Sequence, residues 1–95
     1  MNSVFLRGRV ATDPELEEVY GGSRVAIFLL AVEWSPEESD LFRIRFCDRL
    51  APDNLEGLAK GREVMVEGML RQDTYYPDGH RHQGVSIVAR RIEYV

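Results

Sequence analysis

Alternating apolar and polar residues open the chain. Over residues 2–11 (NSVFLRGRVA), Val4, Leu6 and Gly8 fall on one side of an extended chain and the arginines fall on the other. A period of two predicts a strand with one buried face. A glycine within a strand marks a bend or a close backbone approach, so we predict that this strand pairs with a neighbour on each side of its bend at Gly8. Arg9, on the polar face, is a candidate contact for an anion.

Four further segments show strand patterns, and they cover residues 24–33, 41–47, 62–74 and 83–94. The first of these is apolar on both faces, which predicts that one face enters the core and the other meets a partner subunit. The second shows the clearest alternation, because Arg43 and Arg45 alternate with apolar residues. These two arginines are therefore predicted to point outward together, as a candidate binding surface.

The remaining segments predict loops and one short helix. Residues 12–22 and 34–40 are rich in acids and turn formers and are predicted to be loops. Residues 48–61 have leucines at near-helical spacing, Pro52 in a position that suits a first turn, and Gly61 where a helix would end. Five strands with a helix between the third and fourth predict one all-β domain over residues 1–95, a Greek-key barrel of the OB-fold type, which often binds oligonucleotides.

Composition and charge narrow the classes of partner. With 44% hydrophobic and 29% charged residues, the chain has the composition of a folded domain rather than a disordered one. The net charge of −4 argues mildly against nucleic acid. The charge is uneven, however: residues 1–40 hold three arginines and eight acids, whereas residues 41–95 hold nine basic residues and eight acids. A local basic groove in the second part is therefore compatible with the acidic total.

Targeting signals and cysteine content indicate the compartment. No apolar run approaches the roughly 20 residues of a membrane span, so no membrane association is expected. The first residues lack the apolar core of a signal peptide, which predicts a cytoplasmic protein. Cys47 is the only cysteine and cannot form an internal disulfide, in keeping with a reducing compartment.

Several motifs occur in order along the chain at characteristic spacings. They are Asn2-x-Val4, Leu6-x-Gly8-Arg9-Val10, Asp13-Pro14-Glu15-Leu16, Gly21-Gly22, Val25-Ala26-x-Phe28-x-Leu30-Ala31, Leu50-Ala51 and Leu58-x-Lys60-Gly61-x-x-Val64-x-Val66-Glu67-Gly68-x-Leu70-Arg71. This ordered set resembles the bacterial single-stranded DNA-binding protein family over nearly the whole chain. The resemblance implies an OB-fold homo-oligomer, a tetramer rather than a dimer, that wraps single-stranded DNA in replication, repair and recombination at the nucleoid.

The resemblance also implies where bases stack. Family members use aromatic residues at four main places, and Trp34 matches one of them while Tyr75 matches another in kind. Leu41 and Cys47 fall at the other two, although a shift of one residue would put Phe42 at the first. An exposed ring that stacks on a base contributes about 1–3 kcal/mol whatever the sequence, because every base has a π face. The alternative for Trp34 is that it closes one end of the barrel.

Further candidates surround these positions. Tyr76, beside Tyr75, is balanced between base stacking and packing within its loop. The arginines expected to contact phosphates, rather than to be solvated charges without a role, are Arg9, Arg43, Arg45, Arg49, Arg71 and Arg81. Glu17 and Asp73 are acidic where the resemblance implies basic residues, and Arg45 is a candidate replacement.

Catalytic and metal sites are not expected. His80 and His82 share one side of an extended chain, but most metal sites need a third or fourth ligand and no cluster supplies one. No catalytic set or phosphate-binding glycine loop is indicated, so we predict a protein without enzymatic activity or cofactor. The sequence ends at Val95, directly after the last predicted strand. We therefore expect a shortened chain or a relative without the family's acidic C-terminal tail, which recruits other replication proteins.

Two other functions fit the same barrel. Primosomal replication proteins resemble this family, are short and act as dimers, so the chain could be a protein-interaction module that binds nucleic acid weakly. In that case the acidic segments 15–18 and 33–40 would bind partners. An RNA-binding OB-fold is the third reading, because stacking and phosphate contacts do not distinguish the sugar.

Overall fold

The computed structural model describes residues 1–18, 21, 23–47, 57–75 and 78–95. Its strands follow in this order: β1 (Val4–Val10), β2 (Glu15–Glu18), β3 (Arg24–Ser35), β4 (Glu38–Cys47), β5 (Glu63–Tyr75) and β6 (His82–Tyr94). The architecture is therefore all-β. None of the described segments contains a helix long and apolar enough to span a membrane.

Five of the strands close into a barrel. β1 pairs with β5, β5 with β6 and β3 with β4, all antiparallel, while β6 and β4 pair in parallel. The ring is completed where Arg9 and Val10, at the end of β1, pair with Leu30 and Ala31 of β3. A closed barrel of five strands in this order confirms the predicted OB-fold.

Gly8 marks the place where β1 passes from one neighbour to the other. Residues of β1 pair with β5 from Val4 to Arg9, and the pairing with β3 begins at Arg9. A Cβ atom on Gly8 would lie 2.2 Å from the carbonyl oxygen of Ala31. The two backbones can approach this closely only because position 8 has no side chain. The prediction of a first strand that pairs on both sides of its glycine is confirmed.

The core lies inside this ring. Its members are Val10, Ala26, Phe28, Leu30, Ile44, Phe46, Leu58, Val64, Val66, Ile87, Ala89 and Ile92. Every second residue of β3 and of β4 contributes, which is the expected consequence of a period of two. The opposite face of β3, at Ile27, Leu29 and Ala31, is half-buried rather than open. That face is therefore less available to a partner subunit than its hydrophobicity predicts.

An additional strand, β2, lies where an acidic loop was predicted. Its four residues pair with β3, from Glu15 opposite Ile27 to Glu18 opposite Arg24. Acidic residues have low strand propensity, and all four residues of β2 are exposed, so the segment carries no alternation. Pairing with an edge supplied by a distant part of the chain overrides this weak local preference. The loop predicted at 34–40 is likewise shorter, because β3 and β4 extend to Ser35 and Glu38.

The predicted helix over residues 48–61 is not confirmed. Residues 48–56 lie outside the described residues, and 57–61 form turns and irregular chain. There the Lys60 amide donates to Asp13 Oδ1 at 3.0 Å, and the Gly61 amide donates to the Val10 carbonyl at 2.7 Å. Contacts with the end of β1 thus replace the local hydrogen bonds that a helix would make, and Gly61 has a positive φ of 92°. Leu58 still packs in the core.

Candidate nucleic-acid interface

Two arginines of β4 share one carboxylate. Arg43 Nη1 donates to Asp73 Oδ2 at 3.0 Å, and Arg45 Nη1 lies 3.7 Å from Asp73 Oδ1. They point outward because Ile44 and Phe46, the residues that alternate with them, are fully buried. Asp73 lies on β5, two strands away, since β6 runs between β5 and β4. The predicted pair of outward arginines is therefore present, but it forms one cluster with an acid.

A glycine lies opposite Asp73 on the intervening strand. Gly84 stands opposite Asp73 on β6, so no side chain rises from the intervening strand at that level. The Asp73 side chain is only 12% exposed, whereas those of Arg43 and Arg45 are 40% and 38% exposed. Sequence reasoning noted the unusual acid but missed this pairing, because residues 28 and 30 positions apart carry no local signal of contact.

Arg71 extends this surface along β5. It lies two residues before Asp73 and so on the same face of the strand, and it is exposed. Its cross-strand partner on β6 is Ser86, which precedes Ile87, the partner of Ile44. Arg71 is thus at the level of Arg43 across β6, and the three basic residues lie on one outer face of the barrel.

Trp34 stands at the end of the β3–β4 hairpin. Glu33 pairs with Ser39 and Ser35 with Glu38, so Trp34 is the extra residue of a β-bulge. A bulge turns a side chain out of the regular alternation, and Trp34 is 62% exposed. The ring is therefore available for stacking and does not close the barrel. From the Glu33–Ser39 pair to the Leu29–Arg43 pair is four residues, about 13 Å along the strands.

The other aromatic positions are less favourable. Leu41 is exposed on the same face as Arg43, but it offers no ring, and Cys47 is half-buried. Phe42 packs against the core and so does not replace Leu41 as a stacking ring. Tyr75 is the last residue of β5, opposite His82, and only its backbone position is described.

The remaining residues predicted to contact DNA lie away from the cluster around Asp73 or outside the described residues. Arg81 is exposed in the chain between β5 and β6. Arg49 and Tyr76 are outside the described residues. Arg9 is not part of the cluster around Asp73: its Nη2 lies 3.7 Å from Glu63 Oε1, and its Nη1 donates to the Gly61 carbonyl at 3.3 Å. Strand alternation predicts that Arg9 points outward. It does not predict on which side of the barrel Arg9 lies.

A second basic group occupies the β1–β5 side. Arg7 Nε donates to Glu63 Oε2 at 2.8 Å. This hydrogen bond and the positive charges of Arg7 and Arg9 lower the pKa of Glu63, against a smaller opposing effect of burial. Glu63 therefore stays ionised at neutral pH, and its single negative charge offsets half of the positive charge of Arg7 and Arg9.

Acidic residues border the outer face on its other side. Glu15 and Glu17 of β2 pair with Ile27 and Val25, which stand on the same face as Arg45 because cross-strand partners share a face. A shallow groove of about 240 Å³ beside them is lined by Thr12, Asp13, Glu15, Ile27, Phe28, Leu29 and Arg43. This acidic border disfavours the passage of a phosphate backbone beyond Arg43 toward β2.

Both histidines contact Asp78, in the turn before β6. His82 Nε2 lies 3.1 Å from Asp78 Oδ1, and His80 contributes a backbone amide that donates to the same oxygen at 3.1 Å. Across the described ranges, no group of three or more His, Cys, Asp or Glu side chains is placed to hold an ion. The Asp78 contacts instead brace the turn between β5 and β6.

This chain is similar to known proteins in both sequence and fold. The profile of the "Single-strand binding protein family" matches residues 1–95. The single-stranded DNA-binding protein of Thermotoga maritima is 32% identical over 103 residues, which cover 99% of this chain and 73% of that protein. Among solved structures, Plasmodium falciparum SSB in complex with ssDNA superposes with a TM-score of 0.83 at 28% identity, covering 100% of this chain and 95% of that one. The dimeric N-terminal domain of PriB from Thermoanaerobacter tencongensis gives 0.79 at 30% identity, with 99% and 96% covered. The chain therefore belongs to the single-strand binding protein family.

Proposed function

We propose that this chain is a single OB-fold domain that binds single-stranded DNA without sequence preference and without catalysis. The observation that carries the proposal is one hairpin: β3–β4 presents an exposed ring, Trp34, and two outward arginines, Arg43 and Arg45, on a closed barrel. The similar P. falciparum protein, at TM-score 0.83, is bound to ssDNA. The proposed place of action is the cytoplasm, at the nucleoid, during replication, repair or recombination.

Stacking and charge have separate tasks in this mechanism. Trp34 stacks on a base, which contributes about 1–3 kcal/mol and tolerates any sequence. Arg43, Arg45 and Arg71 contact phosphates, and the release of counterions from the DNA adds free energy that depends on salt. Arg81 and Tyr75 are proposed to extend this path along the β5–β6 hairpin, and Arg49 and Tyr76, which lie outside the described residues, are proposed to contact the DNA as well. Arg9 is proposed as a separate phosphate contact, because it lies beside Glu63 on the β1–β5 side and not in the cluster around Asp73.

The test of this function is a titration of the protein with a fluorescently labelled poly-dT oligonucleotide at two salt concentrations. We expect binding to weaken by at least about tenfold between about 50 mM and 200 mM salt, because several phosphates are neutralised. Trp34 is the only tryptophan, so quenching of the intrinsic emission reports on that site alone. Binding that is insensitive to salt, or that leaves the emission unchanged, would contradict the proposed interface.

Self-association is proposed to use the β1–β5 side. Phe5 is 71% exposed, and with Met65 it lines a groove of about 360 Å³ whose rim carries Arg7, Glu67, Arg91 and Glu93. A patch with an apolar centre and charges of both signs at its edge suits contact with a second copy of this chain. The similar PriB domain is dimeric. A tetramer rather than a dimer remains our proposal.

Replacing Phe5 with aspartate is expected to reduce the molar mass measured by light scattering to that of a smaller assembly. The new carboxylate would have to be desolvated in the contact, which opposes association. Leu16→Asp is the matched control, because Leu16 is also an exposed apolar strand residue but lies on β2. If both variants keep the wild-type mass at micromolar concentration, the β1–β5 side is not the contact.

The second candidate is a protein-interaction module of the primosomal type, possessing only weak affinity for nucleic acid. It is favoured by the similarity to the PriB domain and by the exposed acids of β2. Capture of a replication protein that survives the loss of Trp34 would favour it. Loss of DNA binding in the same variant would favour the first function.

A further inference from the structure

Asp73 forms ion pairs with two of the arginines that the proposed interface would offer to DNA. Each of its carboxylate oxygens serves one arginine: Oδ2 accepts from Arg43 at 3.0 Å, and Oδ1 lies 3.7 Å from Arg45 Nη1. We propose that Asp73 is an internal competitor of DNA phosphate that holds the affinity of this surface below what its arginines could supply. This inference rests on the proposed single-stranded DNA binding.

Asp73 lies deeper in the cluster than the two arginines. Asp73 is 12% exposed, and the more exposed parts of the cluster are the two arginine side chains. A phosphate approaching from solvent therefore meets Arg43 and Arg45 first and has Asp73 behind them. The acid does not saturate the arginines, because its contacts use only Nη1 of each guanidinium group and the two side chains are 40% and 38% exposed. Unused donors remain for an incoming oxyanion.

The charge balance determines the direction of the effect. Two guanidinium groups and one carboxylate leave one net positive charge where there would otherwise be two. A phosphate must either replace Asp73 as the acceptor or bind beside it, and in both cases the carboxylate opposes the phosphate's negative charge. The contrasting role, in which Asp73 only positions the arginines, predicts the opposite: weaker binding when the acid is neutralised.

The test is the variant Asp73→Asn, which keeps the shape and an acceptor oxygen but removes the charge. We expect it to bind labelled poly-dT about three- to tenfold more tightly at low salt. The dependence of log affinity on log salt is expected to become steeper by up to about 0.7, the value for one more phosphate neutralised on a single strand. Asp73→Ser, a second neutral variant, should behave alike and serves if the asparagine variant does not fold by circular dichroism.

Glu18→Gln is the matched control for net charge. Glu18 of β2 pairs with Arg24 of β3. The two arginines of β4 pair with odd-numbered residues of β3, Arg43 with Leu29 and Arg45 with Ile27. Even- and odd-numbered residues of β3 face opposite sides, so Glu18 lies on the face away from the cluster. The control should change affinity by less than about twofold. In a background with Arg43 and Arg45 both replaced by alanine, the gain from Asp73→Asn should shrink to the size of this control.

The outcomes separate the inference from the function on which it rests. Tighter binding by Asp73→Asn alone supports the inference, including the case in which only that variant binds detectably. If the wild type binds and Asp73→Asn binds equally or more weakly, or if Glu18→Gln shows the same gain, the inference is overturned while the proposed function stands. If neither wild type nor Asp73→Asn binds poly-dT at low salt, both are wrong.

Discussion

Replacing Gly8 with alanine is expected to lower the free energy of unfolding by about 3 kcal/mol. The added Cβ would stand 2.2 Å from the Ala31 carbonyl oxygen, a backbone atom that cannot turn aside as a side chain would. Relief requires β1 to move away from β3, at the one place where that pairing closes the barrel. For a domain of this size, the melting temperature should fall by more than about 12 °C. Urea unfolding followed by circular dichroism measures the change.

Gly61→Ala separates this effect from the general cost of losing a glycine. Gly61 has a φ of +92° but nothing within 4 Å of the added atom, so only backbone strain of about 1 kcal/mol is expected there. Gly8 has no positive φ, and its cost is steric alone. A Gly8→Ala protein that melts within about 2 °C of the wild type would show that β1 and β3 are not closed as described.

Replacing Trp34 with alanine is expected to weaken poly-dT binding by about 5- to 150-fold at fixed salt, the loss of one base stack worth about 1–3 kcal/mol. The side chain is 62% exposed and lies at a bulge outside the core, so the melting temperature should change little. Fluorescence anisotropy of a labelled oligonucleotide measures the affinity. The salt dependence should stay as in the wild type, because no phosphate contact is removed.

Trp34→Phe and Leu41→Ala are the controls for stacking. The phenylalanine ring should recover most of the affinity, because a base can stack on it as well. Leu41 is exposed, apolar and on the neighbouring strand, but it has no ring, so its removal should cost less than about threefold. If Trp34→Ala binds DNA as the wild type does, the stacking role of Trp34 is wrong.

The chain's own alternation determined most of the fold. A period of two assigned Ile44 and Phe46 to the core and Arg43 and Arg45 to the outside, because successive side chains of a strand point to opposite faces. The glycine at position 8 indicated the bend that the barrel needs for closure. The ordered motifs indicated the family. All of these signals are local or lie in the order of the segments, so the sequence is enough to recognise them.

The tertiary structure determined which segments of the chain pair and which side chains contact one another. β2 forms although its acids favour no strand, because β3 offers an edge for pairing. Residues 57–61 form turns and irregular chain, because the amides of Lys60 and Gly61 donate to Asp13 and to the Val10 carbonyl at the end of β1. The partnership of Asp73 with Arg43 and Arg45, and the separation of Arg9 from them, also follow from closure. The alternation of apolar and polar residues predicts that a side chain faces outward. Only the register and order of the paired strands determine which charged residues lie beside it.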